Sequence, residues 1–197
     1  MKHKYLLKDP AIHGSAAGHY LHLFFILFVF WFLLCGQFGR KDFLLGICIS
    51  AVISYLCFPL LMLQSRKSGK KYFVFQVSVV RLLFYGVWML REIIHSNLMV
   101  AAAILQEKNK IDPKLAEFRM PMDHPMAHVL LANSITLTPG TVTLDVTEDG
   151  IYTVHALNEA MAGDLLSGRI QRKVAVLFGE NPAEYESRGI LGKKEQG

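Results

Sequence analysis

Acidic residues are scarce in the first part of this chain. Residues 1–106 hold three, Asp9, Asp42 and Glu92, against 11 Lys and Arg. None falls inside the two longest uncharged apolar runs, Tyr20–Gly36 and Phe43–Leu63. An ion carrier needs ionisable or coordinating groups at membrane depth; these runs offer only His22, at an edge. Cysteine is nearly as sparse. Cys35, Cys48 and Cys57 all lie in apolar surroundings and form no CxxC pair, which argues against a disulfide or zinc framework and leaves them as small apolar side chains. A basic domain face is also missing: residues 107–197 hold 10 Lys and Arg against 13 acids. The positive charge sits beside hydrophobic segments instead, as at membrane flanks, so a nucleic-acid partner is not expected.

Apolar residues make up 52% of the 197-residue chain, with 13 Phe, and they crowd ahead of Leu105. Tyr20–Gly36 spans roughly 25 Å as a helix, short but sufficient for a membrane span. Lys2, Lys4 and Lys8 precede it as in a signal peptide, but no small-residue cleavage site follows, so an uncleaved helix is preferred. Phe43–Leu63 is the second span, with Pro59 near its end. Gly46, Ser50, Ala51 and Ser54 recur along it at helical spacing, a stripe that permits close helix packing. The link Gln37–Asp42 holds two cations, whereas the N-terminal tail and the loop Gln64–Tyr72 hold seven. That asymmetry places the tail and the second loop in the cytoplasm.

Phe73–Ile94 is more ambiguous. Ser78, Arg81, Tyr85, Trp88, Glu92 and His95 fall on one stripe of a helical wheel, and the rest is apolar. Either the helix lies at the cytoplasmic interface with its polar stripe toward water, or it crosses with Arg81 facing other helices. The interfacial reading is preferred because it keeps the charge-rich remainder cytoplasmic. A tilted, partly inserted helix is a third arrangement.

From Glu107 the composition becomes that of a soluble domain. Leu115–Met120 reads as a strand. Asp123 can cap a helix whose first turn holds Pro125, running to about Thr138. Pro139-Gly140 suits the central positions of a type II turn. Thr141–Val146 alternates, with Val142, Leu144 and Val146 on the face expected to enter the core. Glu148-Asp149-Gly150 is a hairpin signal, Ile151–Leu157 the returning strand, and Glu159–Phe178 a last helix. The fold class is therefore an α-helical membrane region (two transmembrane helices plus an interfacial or third membrane helix) followed by a small α+β domain. Its order, β-α-β-β-α, is that of a truncated ferredoxin-like plait. The divisions are a cytoplasmic tail 1–19, a transmembrane hairpin 20–63, a basic loop and long helix 64–106, a cytoplasmic α+β domain 107–178, and a flexible tail 179–197.

Candidate chemical groups are few. His124 and His128 are spaced i, i+4 without the Glu of a zinc-protease motif, and read as surface or capping residues. His155 reads as an ordinary sheet residue. Ser134 has no evident base partner. The Pro139-Gly140 loop lacks the lysine and glycine spacing of a P-loop. No catalytic residue, metal site or cofactor is expected, which disfavours a stand-alone membrane enzyme.

The run Leu130-Leu131-Ala132-Asn133-Ser134-Ile135-Thr136-Leu137-Thr138-Pro139-Gly140-Thr141, followed by a strand, a turn and Val154-His155-Ala156-Leu157, resembles the E subunit of the Mrp-type multisubunit cation/proton antiporters. Ser96-Asn97 in the long helix is similar to that family too, and the resemblance covers about residues 20–178. It implies a non-catalytic accessory subunit, needed for assembly or stability of a complex that exchanges cytoplasmic Na+ (or K+) for external H+ in the bacterial inner membrane and supports pH homeostasis. Its partners would be large complex-I-like subunits, which hold the ion path, small membrane subunits and the lipid bilayer. The alternative is a regulatory module of that complex, sensing a ligand or ion. Asn133, Ser134, Thr136, Thr138, Pro139, Gly140 and Thr141 are the candidate structural corner or subunit contact. Within it, Thr136, Thr138 and Thr141 are expected to satisfy backbone groups. Arg81, Glu92 and His95 are the candidate polar stripe of the long helix.

Overall fold

The structure, a computed structural model, describes residues 15–36, 39–65, 67–75, 77–105 and 112–191. The chain forms two compact units, Met1–Gln76 and Val77–Gly197. Most of the expected N-terminal tail, Arg66, the segment 106–111 and the last six residues lie outside the described residues.

The first unit is a helical hairpin. Helix α1 (Ala16–Cys35) begins where the Ser15 hydroxyl accepts a bond from the Gly18 N–H, and ends at Gly36, left-handed at φ +61°. Helix α2 (Arg40–Cys57) buries Gly46, Ser50 and Ser54. That stripe is occupied within the hairpin: a Cβ on Gly46 would stand 2.6 Å from Trp31 Cδ1. Trp31 Nε1 donates to the Asp42 carbonyl at 3.1 Å, and the Tyr20 hydroxyl to that of Ala51 at 3.1 Å. Two stretches are long and apolar enough to cross a membrane, Ala17–Cys35 and Arg40–Leu61. The second apolar run does not stay helical to Leu63. It tightens to a 3-10 turn at Phe58–Leu61, around Pro59, and passes into strand β1 (Met62–Gln64). Strand β1 pairs antiparallel with β2 (Lys71–Phe73), so the expected basic loop is the tip of a short hairpin.

The second unit opens with α3 (Val79–Leu105), 27 residues long. It starts later than the apolar run Phe73–Ile94, since Phe73 is in a strand. Strand β3 (Lys114–Arg119), helix α4 (Pro125–Leu137), strand β4 (Thr141–Val146) and strand β5 (Ile151–Ala156) follow. The last helix is two: α5 (Glu159–Leu166) and α6 (Arg169–Phe178), broken at Gly168, where φ is +75°. Residues expected to form a loose tail instead contribute a 3-10 turn at Pro182–Glu184 and strand β6 (Glu186–Leu191). The sheet order is β4-β5-β3-β6, antiparallel throughout. The element order is thus β-α-β-β-α-α-β, one strand more than expected.

Buried residues alternate along β3 (Ala116, Phe118) and β5 (Tyr152, Val154, Ala156). They meet Leu131, Ile135, Met161, Val174 and Leu177 of the helices in one core. The opposite sheet face stays open, with Val142, His155, Leu115 and Leu191 aligned across it by register. Strand β4 departs from its expected orientation. Thr141 is buried while Val142 and Leu144 are exposed. Its pairing slips between Thr143 and Asp145, and the threonine edge turns inward because its hydroxyls have partners there.

Candidate functional site

The corner is built by hydroxyls. Thr138 N–H bonds Ile135 O at 3.2 Å, and Thr141 N–H closes the Pro139-Gly140 turn onto Thr138 O at 3.2 Å. Thr138 Oγ1 lies 2.6 Å from the Ile135 carbonyl and 2.9 Å from Thr141 Oγ1, which is itself 2.7 Å from the same carbonyl. Thr136 Oγ1 accepts from the Thr143 N–H, and Thr143 Oγ1 donates to the Ala132 carbonyl. The last carbonyls of a helix have no intrahelical partner; here that of Ile135 is met by the capping Thr138 and by Thr141 of the next strand. Gly140 has φ +90°, and a Cβ there would collide with Met161 Sδ and lie 3.3 Å from Val100 Cγ2. Its own carbonyl accepts from the Leu157 N–H at 2.8 Å. Asn133 is exposed.

Helix α3 meets this corner. Tyr85, Met89, Glu92 and Ser96 are buried at three- and four-residue spacing, so of the expected polar stripe Tyr85 and Glu92 are covered by the α+β fold, while Ser78, Arg81 and His95 are exposed. The Tyr85 hydroxyl bonds Ser134 Oγ at 2.6 Å. Ser134 uses its own proton on the Leu130 carbonyl, so Tyr85 is the donor. Burial raises the Tyr85 phenol above its ordinary pKa. Glu92 is buried and pairs with Arg169 at 2.7 Å. Arg169 also grips Asp164 through both carboxylate oxygens. Glu92, Ser96, Thr138 and Thr141 border a cavity of about 20 Å³, room for roughly one water. Arg81 and His95 stay exposed and do not join this network.

His124 and His128 are structural. His124, not Asp123, caps α4: its Nδ1 accepts from the Met126 N–H at 3.2 Å. His128 Nε2 donates to the Met122 carbonyl at 3.0 Å, leaving Nδ1 to accept from the Tyr152 hydroxyl at 2.8 Å. With both ring nitrogens so used, His128 has no lone pair for a metal. Burial pushes the Tyr152 phenol far above its ordinary range. Glu180 escaped the sequence reading, because it sits in the presumed tail. Its Oε1 accepts from the N–H groups of Asp123 and His124, at 2.9 and 2.8 Å.

Comparison with known proteins gives the family. The family described as "Na+/H+ ion antiporter subunit" matches residues 24–176. The chain is similar to Na(+)/H(+) antiporter subunit E1 of Staphylococcus aureus strain bovine RF122 / ET3-1, 31% identical over 140 residues, covering 70% of this chain and 82% of that protein. The same protein of strain Newman gives the same figures. Among solved structures it resembles a chain of the membrane-bound sulfane sulfur reductase, described as an archaeal respiratory membrane complex. That match has TM-score 0.54 and 29% identity, over 71% of this chain and 83% of the other. The family match covers well over half of the sequence and contains the Asn133–Thr141 corner, and on that ground the chain belongs to the E subunits of the Mrp-type Na+/H+ antiporters.

Proposed function

We propose that this subunit is an accessory, non-catalytic part of a Na+(K+)/H+ antiporter complex in the bacterial inner membrane, required for assembly or stability. The observation that carries this is where ionisable groups go. Helix α1 holds no Lys, Arg, Asp or Glu, and α2 holds its three, Arg40, Lys41 and Asp42, in its first turn. Glu92, the one acid of the long helix, is committed to Arg169. A cation path through this chain would lack relay groups. The cavity at the corner is too small for more than a water-sized guest, which favours bracing over sensing.

Helix α3 lies in the cytoplasmic interface in this reading, with the N-terminus and the α+β domain cytoplasmic. Tyr85, Glu92 and Ser96 are buried on the domain, while Phe84, Val87, Leu90, Ile94 and Leu98 are exposed. Such a one-sided apolar face suits the headgroup boundary; crossing would strip the stripe of its partners. The domain itself is a ferredoxin-like plait, completed by β6 rather than truncated, as its strand order supports. The open sheet face with Val142, Leu115 and Leu191 would receive another subunit of the complex.

The test is affinity capture of the tagged chain from native membranes in mild detergent, followed by deletion of the chain. Large multi-helix subunits should co-purify, and deletion should lower the yield of intact complex. Normal yield with selectively altered cation affinity would overturn the accessory role.

A further inference from the structure

We propose that the cleft between α3 and α6 binds the phosphate of an anionic membrane lipid. The proposal rests on the interfacial placement of α3. The cleft has a volume of about 470 Å³ and is lined by Trp88, Arg91 and His95 from α3 and by Arg169, Arg172 and Lys173 from α6. Glu92 also reaches it, but its carboxylate is already held by Arg169. Among the described residues, neither Arg91 nor Lys173 reaches a carboxylate. Lys173 Nζ rests 5.7 Å from the centre of the Trp88 ring. The cleft therefore carries uncompensated positive charge.

The fold answers only part of this charge: Arg169 is held by Glu92 and Asp164 and Arg172 donates to the Ser167 carbonyl, whereas Arg91 and Lys173 meet no acid among the described residues. Helix α6 has three cations among its first five residues and no acid in its first turn, whereas the helix dipole favours the opposite sign there. An anion in the cleft would resolve the conflict, and arginine forks match phosphate oxygens in geometry. The border of the cleft argues for a lipid. Val176 of α6 lines the cleft and is exposed, and Phe84 and Leu98, each seven residues from Arg91 and so on its side of α3, are exposed too. A headgroup held by the cations leaves its acyl chains over that apolar surface, and Trp88 stands where membrane proteins place interfacial tryptophan. A soluble phosphate would gain nothing from the apolar border.

The chain has two tryptophans, Trp31 and Trp88, so Trp31→Phe leaves Trp88 as the sole indole reporter. The full-length W31F chain is reconstituted in phosphatidylcholine bilayers containing small fractions of phosphatidylglycerol or phosphatidylcholine brominated on the acyl chain. Brominated phosphatidylglycerol should quench Trp88 at about tenfold lower mole fraction than brominated phosphatidylcholine. R91Q/K173Q should abolish that preference, R91K/K173R should retain it, and R81Q, on the same helix outside the cleft, should retain it too. Quenching by neither lipid would refute the interfacial placement itself. Equal quenching by both would leave the placement standing and overturn the lipid site alone, as would a preference that survives R91Q/K173Q. Loss of the preference on adding millimolar inorganic phosphate would assign the cleft to free phosphate instead of lipid; persistence of the preference supports the lipid.

Discussion

Helices α1 and α3 both expose apolar side chains along most of their length, yet they keep their remaining surface in different ways. Helix α1 meets α2 through a small-residue stripe and two tethers, Trp31 to the Asp42 carbonyl and Tyr20 to the Ala51 carbonyl. Both tethers end on backbone, and the contact is largely shape. Helix α3 meets its domain through chemistry, with Tyr85 on Ser134, Glu92 on Arg169, and Ser96 beside the threonine corner. Shape suffices between membrane helices, where packing rather than hydrophobic transfer drives association. A helix packed on an α+β domain must also satisfy polar groups that burial would otherwise penalise.

Breaking the corner should have the largest effect. Gly140→Val forces a β-branched residue to φ +90° and into Met161, and apparent stability should fall by about 3 kcal/mol or more. A lower melting temperature of the purified chain and a poorer yield of complex would show it. The shape-based contact offers the parallel test. Gly46→Leu drives into Trp31 and should destabilise the hairpin by about 1–3 kcal/mol. If shape is what matters there, G46L/W31A recovers part of the loss in the same melting assay; no recovery would mean the contact is not steric.

Smaller effects come from the polar network. Glu92→Ala should cost about 1–2 kcal/mol, at the low end for a buried ion pair because Arg169 is partly exposed and keeps Asp164. A double-mutant cycle with R169A measures it. Alkali provides a second probe. The buried Tyr152 phenol has its folded pKa raised above the ordinary 10.0, so its contribution is complete below pH 10 and is lost as pH rises beyond. The slope should be about 1.4 kcal/mol per pH unit, and Y152F should flatten it. Last, Ser134→Ala should cost about 1 kcal/mol, with Y85F/S134A no worse than the larger single change.

Much of this comparison was legible in the chain. The absence of charge announced α1 and α2, and the Asn133–Thr141 run announced the corner. The misses share a cause: a local pattern overruled by a distant partner. Val142 and Leu144 alternate like core residues, yet β4 is an edge strand whose threonines have carbonyls to satisfy. The α3 stripe divides: Arg81 and His95 are exposed, but Tyr85 and Glu92 turn to partners far along the chain, Ser134 and Arg169. Strand β6, with Glu186, Ser187, Arg188 and Gly189, has little strand propensity; its place depends on β3, where Arg188 pairs with Glu117 at 2.9 Å. The helix break at Ser167-Gly168 was readable as a turn signal, but the apolar residues on both sides hid it.

The Glu180 contact also sets a schedule. The N–H groups at the start of α4 acquire their carboxylate only from a residue 56 and 57 positions later, and β3 acquires its second neighbour only from β6. The domain therefore cannot close while its last dozen described residues are still being synthesised. A stop codon introduced after Phe178 would spare every helix and still release a sheet with a bare central strand, open to pairing with another chain.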